Sequence, residues 1–514
     1  MLFVLLNTFE SFLKAFERTG QKAKGQSSGE KDMLKKIEDD YKEWSEKAKA
    51  IDELLSKKGE INLKELSTDD KNKIEELKSF IFDKIPKIRE KIEETISRKL
   101  TMELQLWGDN IRKYNSSIQE DTIASNAPSA LAEMINKIIK LLRALNNSES
   151  KPTLVMIDAL RNPYEILYFR ERYSSFYLMS VNTTEQIRKD NLHKLDYKDT
   201  DIKILDEKEH PAKSKDIESS FYSQDIERCV ELSDILVVHN GQKVEENVDL
   251  KKQIIKYIAL MKHPGLIPPS PQERVMQIAF TAKLNSGCIS RQVGAAVTDE
   301  HFSIKSIGWN TVPEGQTPCS LRSFEDLYSR SDLNAFSNFE KSNSDFRRVI
   351  DSFHLQYDTK QESSKFREKG HTLSFCFKDF YTVYKGEKNQ VHTRSLHAEE
   401  NAFLQLVKYG AKGIKGGKLF TTASPCELCA KKAYQLGIKE IYYIDAYPGI
   451  SMEHILDCGD NKPQVFLFQG AIGRAYDSLY NPLMSYKDEI AYLTGVKIKD
   501  KSSVKKQPEG KQEN

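Results

Sequence analysis

Two short stretches carry residues able to do chemistry together: His397-Ala398-Glu399 and, downstream, Pro425-Cys426-Glu427-Leu428-Cys429. A neutral imidazole and two thiolates fill three corners of a zinc tetrahedron and leave the fourth for a water, whose pKa falls to about 7 on the metal. Glu399 stands beside this set without belonging to it, as a carboxylate does when it takes a proton from the water and hands it on. Read separately, the CxxC is a structural zinc knuckle or a redox pair, and HAE is a helix start. A structural zinc requires a fourth protein ligand, however, and no second CxxC or HxxxH lies near. The joint pattern points to a catalytic Zn2+ held by His397, Cys426 and Cys429, with Glu399 as the acid-base group.

These residues need elements that aim them at one point. Residues 396–407, LHAEENAFLQLV, have helical spacing and put His397 and Glu399 in the first turn. The run KLFTT reads as a buried strand ending in a Ser-Pro turn. Cys426 and Cys429 then open a second helix, stopped at Gly437, whose positive end favours thiolate over thiol. Upstream, residues 270–310 read as a helix, a strand VGAAV, a turn at Asp299-Glu300 and a second strand ending at Trp309-Asn310.

The pairing of H-x-E with P-C-x-x-C is the signature of zinc-dependent nucleobase deaminases. Residues 270–485 resemble a deoxycytidylate deaminase of the cytidine deaminase superfamily. The resemblance rests on TRSLHAEENA, on TTASPCELCA, on the S-R-x-V-G-A strand at Ser290, Arg291, Val293 and Gly294, and on the turn at Asn310. It implies an α-β-α sandwich and a deoxycytidine nucleotide substrate contacted by Asn310, Arg291, Ala398, Ser424 and Tyr447; for Tyr447 a core tyrosine at a strand end is the alternative. A long insertion, residues 316–393, separates Asn310 from His397, whereas tRNA-editing adenosine deaminases resemble this fold with a short connection there. In some deoxycytidylate deaminases the insertion holds a second, structural zinc. The resemblance places Cys288 and Cys319 at matching positions, with His371 and His392 as candidate further ligands; the alternative is two buried, inert cysteines. Arg291, Arg394, Arg322, Arg347 and Arg348 are candidates for substrate phosphates, or else solvated surface charges.

The rest of the chain narrows the class. With 514 residues, 39% hydrophobic and 30% charged, it has length for more than two domains and for sizeable cores. A net charge of +2 carries no polynucleotide or membrane signature. Seven cysteines, an odd number at zinc spacings, suit a reducing cytosol. The opening MLFVLLNTFE is too short an apolar run for a signal peptide or a membrane span. Residues 20–30 read as a flexible loop and 31–100 as Lys/Glu-rich helices. An amphipathic helix LAEMINKIIKLLRALNN follows, then TLVMID and SFYLMSVN as strands of a parallel sheet.

This half resembles the P-loop kinase-like domain that precedes the deaminase in anti-phage dCTP deaminases, including RNPYE, with Asp158 as a Walker B-type acid and Arg170, Arg172 and Arg188 as phosphate-binding candidates. It departs from that pattern at the phosphate loop: Gly20 and Gly25 have the glycine spacing, but Gln26 stands where lysine is required. Either the chain starts downstream of the usual strand or the domain is degenerate, a structural or regulatory module or one that only senses nucleotide.

The expected architecture is α/β: residues 1–262 a P-loop kinase-like parallel sheet with helices, 263–272 a linker, 273–496 a deaminase α-β-α sandwich, and 497–514 a disordered tail. The expected function is zinc-dependent conversion of dCTP and/or dCMP to dUTP or dUMP in the cytoplasm. The resemblance further implies anti-phage depletion of dCTP, a homo-oligomer, and an inhibitory RNA or other regulator, with no membrane partner. A housekeeping dCMP deaminase and a polynucleotide cytosine or adenosine deaminase are the alternatives.

Overall fold

The computed structural model describes residues 67–84, 86–87, 89–90, 100–115, 127–148, 150–209, 219–243, 246–332, 334–386, 392–410, 414–446 and 449–495. The readings of Gly20 to Gln26, of residues 31–66, of Tyr447 and of the tail at 497–514 lie outside the described residues, while Thr68–Ser79 forms one of the helices expected over 31–100. The chain divides into two compact units, Met1–Leu178 with Lys189–Leu232, and Met179–Arg188 with Ser233–Asn514.

The described residues of the first unit form helices and no strand. Helices α1 (Leu100–Tyr114), α2 (Ala130–Ser148) and α3 (Pro163–Arg172) are its main elements. The expected strand TLVMID forms no strand. Val155 and Ile157 pack toward Phe169, while Leu154 and Met156 are 75% and 92% exposed. A central parallel strand needs both faces covered, and this segment has one.

RNPYE is a structural clamp in this unit. Arg161 pairs with Glu209 at 2.5 Å. Asn162 accepts from the Tyr164 amide to cap α3 and donates to the carbonyls of Phe221 and Ser223, and Glu165 takes a buried bond from Arg112 Nε at 2.8 Å. The arginines expected at phosphates are committed too: Arg170 donates to the Leu232 carbonyl and Arg172 lies over the Tyr168 ring. Arg188, in the second unit, pairs with Glu185.

The second unit opens with β1 (Met179–Asn182) and β2 (Ile235–Val238), which pair in parallel. Helices α4 (Val248–Lys262) and α5 (Pro271–Ala282) follow, joined by the Pro-rich stretch. Then come β3 (Gly294–Thr298), β4 (Ile304–Trp309), the insertion helices α6 (Ser344–Tyr357) and α7 (Phe377–Lys385), α8 (Ala398–Lys408), β5 (Lys418–Ala423), α9 (Glu427–Gln435), β6 (Glu440–Asp445), β7 (Gln464–Leu467), β8 (Gly470–Ala471) and α10 (Gly473–Tyr480). The main sheet has the order β4-β3-β5-β6-β7, with β3 antiparallel to β4 and β5 and the last three strands parallel. Val275, Met276 and Ala279 of α5 cover one face, and Ala398, Ala402 and Phe403 of α8 with Ala430 and Ala433 of α9 cover the other. The result is an α-β-α sandwich. The insertion builds its own aromatic core from Phe324, Phe336, Phe346 and Phe375.

Two glycines let helices lie directly on the sheet. A Cβ on Gly294 would stand 2.0 Å from the Ala279 carbonyl oxygen, and one on Gly308 would stand 2.3 Å from that of Ala398. Away from these contacts, Glu273 ties α4, α5, β8 and α10 together. It is 1% exposed and accepts from Lys256 Nζ, from the Tyr257 and Tyr480 hydroxyls, and from the Ala471 and Ser270 amides. Burial alone would raise its pKa, but the bonds from Lys256 and Tyr480 outweigh it and bring it down to about 2.

Glu273→Gln is expected to destabilise this unit by about 3 kcal/mol, because Lys256 loses its buried partner, read as a lower urea midpoint. Since the native pKa lies below the ordinary 4.5, the carboxylate's contribution is complete above pH 4.5 and is lost as pH falls toward about 2. The variant's deficit should therefore narrow on acidification.

Candidate active site

Helix α8 begins where Thr311 and Leu396 exchange backbone hydrogen bonds at 2.8 and 3.2 Å, which fixes the chain one residue before His397. His397 is the N-cap of α8, but its side chain makes no cap bond, and the imidazole turns to the cysteines instead. Nδ1 lies 3.2 Å from Cys426 Sγ and 3.6 Å from Cys429 Sγ. Cys426 sits at the N-cap of α9 and Cys429 in its first turn. The Ser451 hydroxyl donates to the Pro425 carbonyl, securing the turn into this helix.

The donor set fits zinc. Bond lengths of about 2.3 Å to sulfur and 2.0 Å to nitrogen at tetrahedral angles imply N···S separations of about 3.5 Å. The three ligand atoms lie within 4.8 Å of one another, and three protein donors leave one tetrahedral position for a water. Hydrogen bonding with Cys429, and then with His397, outweighs burial and holds the Cys426 thiol well below its ordinary value. The same bond to Cys426, with burial, pushes Cys429 up, and the contact with Cys426 raises His397. Binding a cation at this buried cluster displaces the remaining protons.

Glu399 lies in the first turn of α8, 4% exposed and outside the ligand group. Burial pushes its pKa up to about 7. The Thr421 hydroxyl, 3.5 Å from its carboxylate, donates to the Ala423 carbonyl at 2.8 Å. A carboxylate near 7 both accepts and releases a proton at neutral pH.

The other expected site residues are arranged as follows. Ala398 is buried at the start of α8. The Ser424 amide donates to the Asp445 carbonyl at 2.8 Å. Asn310 is buried, its side chain accepting from the Val293 amide at 2.7 Å and donating to the Arg291 carbonyl. It thereby shapes the loop before β3. Arg291 forms an ion pair with Asp445. Arg322 and Arg394 both reach Glu340, Arg347 donates to the carbonyls of Leu327 and Tyr328, and exposed Arg348 pairs with Asp345. Cys288 and Cys319 line one cavity of about 20 Å³, together with Arg394 and Cys376. His371 is exposed and His392 packs on Tyr381; neither lines that cavity. Sequence reasoning missed Cys376, Thr421 and Asp445. Cys376, just before the aromatic helix α7, offered a signal as a further cysteine in the insertion.

This geometry defines a class, and residues 269–445 match the cytidine and deoxycytidylate deaminase zinc-binding region. The C-terminal region therefore carries a deoxycytidylate deaminase-like domain. Among individual proteins, the deoxycytidylate deaminase of Enterobacteria phage T2 is 28% identical over 178 residues, covering 34% of this chain and 79% of that protein. ComE operon protein 2 of Bacillus subtilis is 43% identical over 54 residues, 10% of this chain and 28% of that protein. A solved dCMP deaminase of cyanophage S-TIM5, in complex with dCMP and dUMP, shares 22% identity, with 39% of this chain and 99% of that chain covered and a TM-score of 0.24. No described helix is long and apolar enough to cross a membrane.

Cys426→Ser and Cys429→Ser are each expected to lower zinc affinity by at least about tenfold, because a thiolate ligand is lost, measured by competition with a chromogenic chelator. Glu399→Gln should retain the affinity of the unaltered protein, since Glu399 is not a ligand.

Proposed function

We propose that this protein is a zinc-dependent hydrolytic deaminase of deoxycytidine nucleotides, converting dCTP and/or dCMP to dUTP or dUMP with release of ammonia. The observation that carries this reading is the buried, non-ligand carboxylate of Glu399 beside the converging His397, Cys426 and Cys429. Its support from relatives is the match to the deoxycytidylate deaminase region.

Zinc at the three ligands supplies Lewis acidity and an acidified water. Glu399 takes a proton from the attacking water and delivers it to N3 of the cytosine, so that C4 can accept the oxygen. It then carries the second proton to the departing amine. Water and the C4 amino group are thus exchanged for a C4 carbonyl and ammonia, with no oxidant or reductant. Asn310 holds the 291–293 loop through its amide, and Ala398 and Ser424 border the ligands in the chain.

The finer reading adds dCTP depletion against phage in the cytoplasm, a homo-oligomer, and an inhibitory RNA or other regulator. Its support is the RNPYE-bearing region joined to a deaminase-like one. A second, structural zinc would use Cys288 and Cys319, which line one cavity, but among the described residues no third His, Cys, Asp or Glu donor converges with them, and a structural site requires four ligands.

Mass spectrometry of the zinc-loaded protein with dCTP, dCMP, deoxycytidine, CTP and a cytosine-containing oligonucleotide tests the reading. We expect uracil products from dCTP or dCMP, and a fall in kcat of about 10²- to 10⁴-fold in Glu399→Gln, the usual range for an acid-base group. Turnover of the oligonucleotide alone would replace the reading with polynucleotide editing.

A further inference from the structure

Five arginines are candidates for a nucleotide's phosphates, and four are otherwise engaged. Arg322 and Arg394 share Glu340, Arg347 bonds two carbonyls, and Arg348 pairs with Asp345 on the insertion surface. Arg291 stands at the zinc end of the sheet. In the antiparallel pairing of β3 with β5, Ala295 is opposite Thr421. Continued four residues, that register sets Arg291 level with Pro425, one residue from Cys426. On the other side of β5, Ala423 is opposite Asp445 in the parallel pairing with β6. Arg291 and Asp445 therefore reach toward each other across the segment that leads into the zinc ligands.

Their side chains meet there in an ion pair, 27% and 14% exposed respectively. The Asp445 end is anchored, its carbonyl accepting the Ser424 amide at 2.8 Å. The Arg291 backbone is held as well, by the Asn310 amide. A phosphate approaching this cation meets a carboxylate already in place, and two anions on one guanidinium repel at contact distance.

We propose that Asp445 is a specificity-determining residue, whose carboxylate competes with the substrate's phosphate group for Arg291 and so weakens binding of phosphorylated substrates relative to the nucleoside. The proposal rests on the deaminase reading above. It assigns Asp445 no part in the chemistry at C4, so its effect falls on KM rather than kcat.

The test uses the zinc-loaded full chain and initial rates on deoxycytidine, dCMP and dCTP. Asp445→Asn is expected to lower KM for dCMP and dCTP by about tenfold, the order expected for removing one contacting anion in a partly exposed site. The deoxycytidine KM should stay as it was. Arg291→Gln should raise KM for the nucleotides alone and remove most of the benefit of Asp445→Asn in the double variant. An unchanged ratio of deoxycytidine KM to dCMP KM in Asp445→Asn would overturn the proposal and leave the deaminase reading intact. If Asp445→Asn fails to fold, Arg291→Gln decides: a nucleotide KM equal to that of the unaltered protein overturns the proposal. Absence of turnover by the unaltered protein on all three substrates would overturn both.

Discussion

The close approach of α8 to β4 at Gly308 is the constraint on which the site depends. With no Cβ at that position, the backbone at Ala398 and Ala402 can lie against the strand; an added Cβ would stand 2.3 Å from the Ala398 oxygen and 2.4 Å from the Ala402 nitrogen. The start of the helix, and with it His397 and Glu399, is held in place by the sheet. Gly294 does the same for α5 on the opposite face. The cysteines arrive by a different route, at the N-terminus of the helix that links parallel strands β5 and β6. Ligands in open α/β sheets gather at the carboxyl ends of such strands, and here that end brings the two routes together.

Two buried carboxylates show how environment divides structural from chemical roles. Glu273 is surrounded by donors, and its pKa falls to about 2; it stays charged and holds helices together. Glu399 is equally buried but has few partners, and its pKa rises to about 7. A group poised near neutrality is unfavourable for a joint and suited to moving protons. Glu340 of the insertion repeats the first arrangement, pairing with the guanidiniums of Arg322 and Arg394.

Much of the sandwich was legible in the sequence because its signals are local. The helix expected over residues 396–407 forms as Ala398–Lys408, VGAAV forms the strand Gly294–Thr298 apart from its first residue, and KLFTT lies within Lys418–Ala423. The sequence also singled out His397, Cys426 and Cys429, whose ligand atoms come together in the structure. What escaped were pairings across long stretches of chain: Arg291 and Asp445 are 154 residues apart, and nothing near either announces the other. TLVMID failed for a related reason, since an apolar run shows that a strand is affordable locally but says nothing of whether neighbours will cover both faces.

The most direct test of hydrolytic deamination is turnover of dCMP in ¹⁸O-labelled water, with the product weighed and the ammonia assayed. Attack by water at C4 predicts a uracil product carrying one ¹⁸O at C4 and about one ammonia per product formed. A product without the label, or dCMP consumed with no ammonia released, would contradict the assignment of Glu399, His397, Cys426 and Cys429 as a hydrolytic centre.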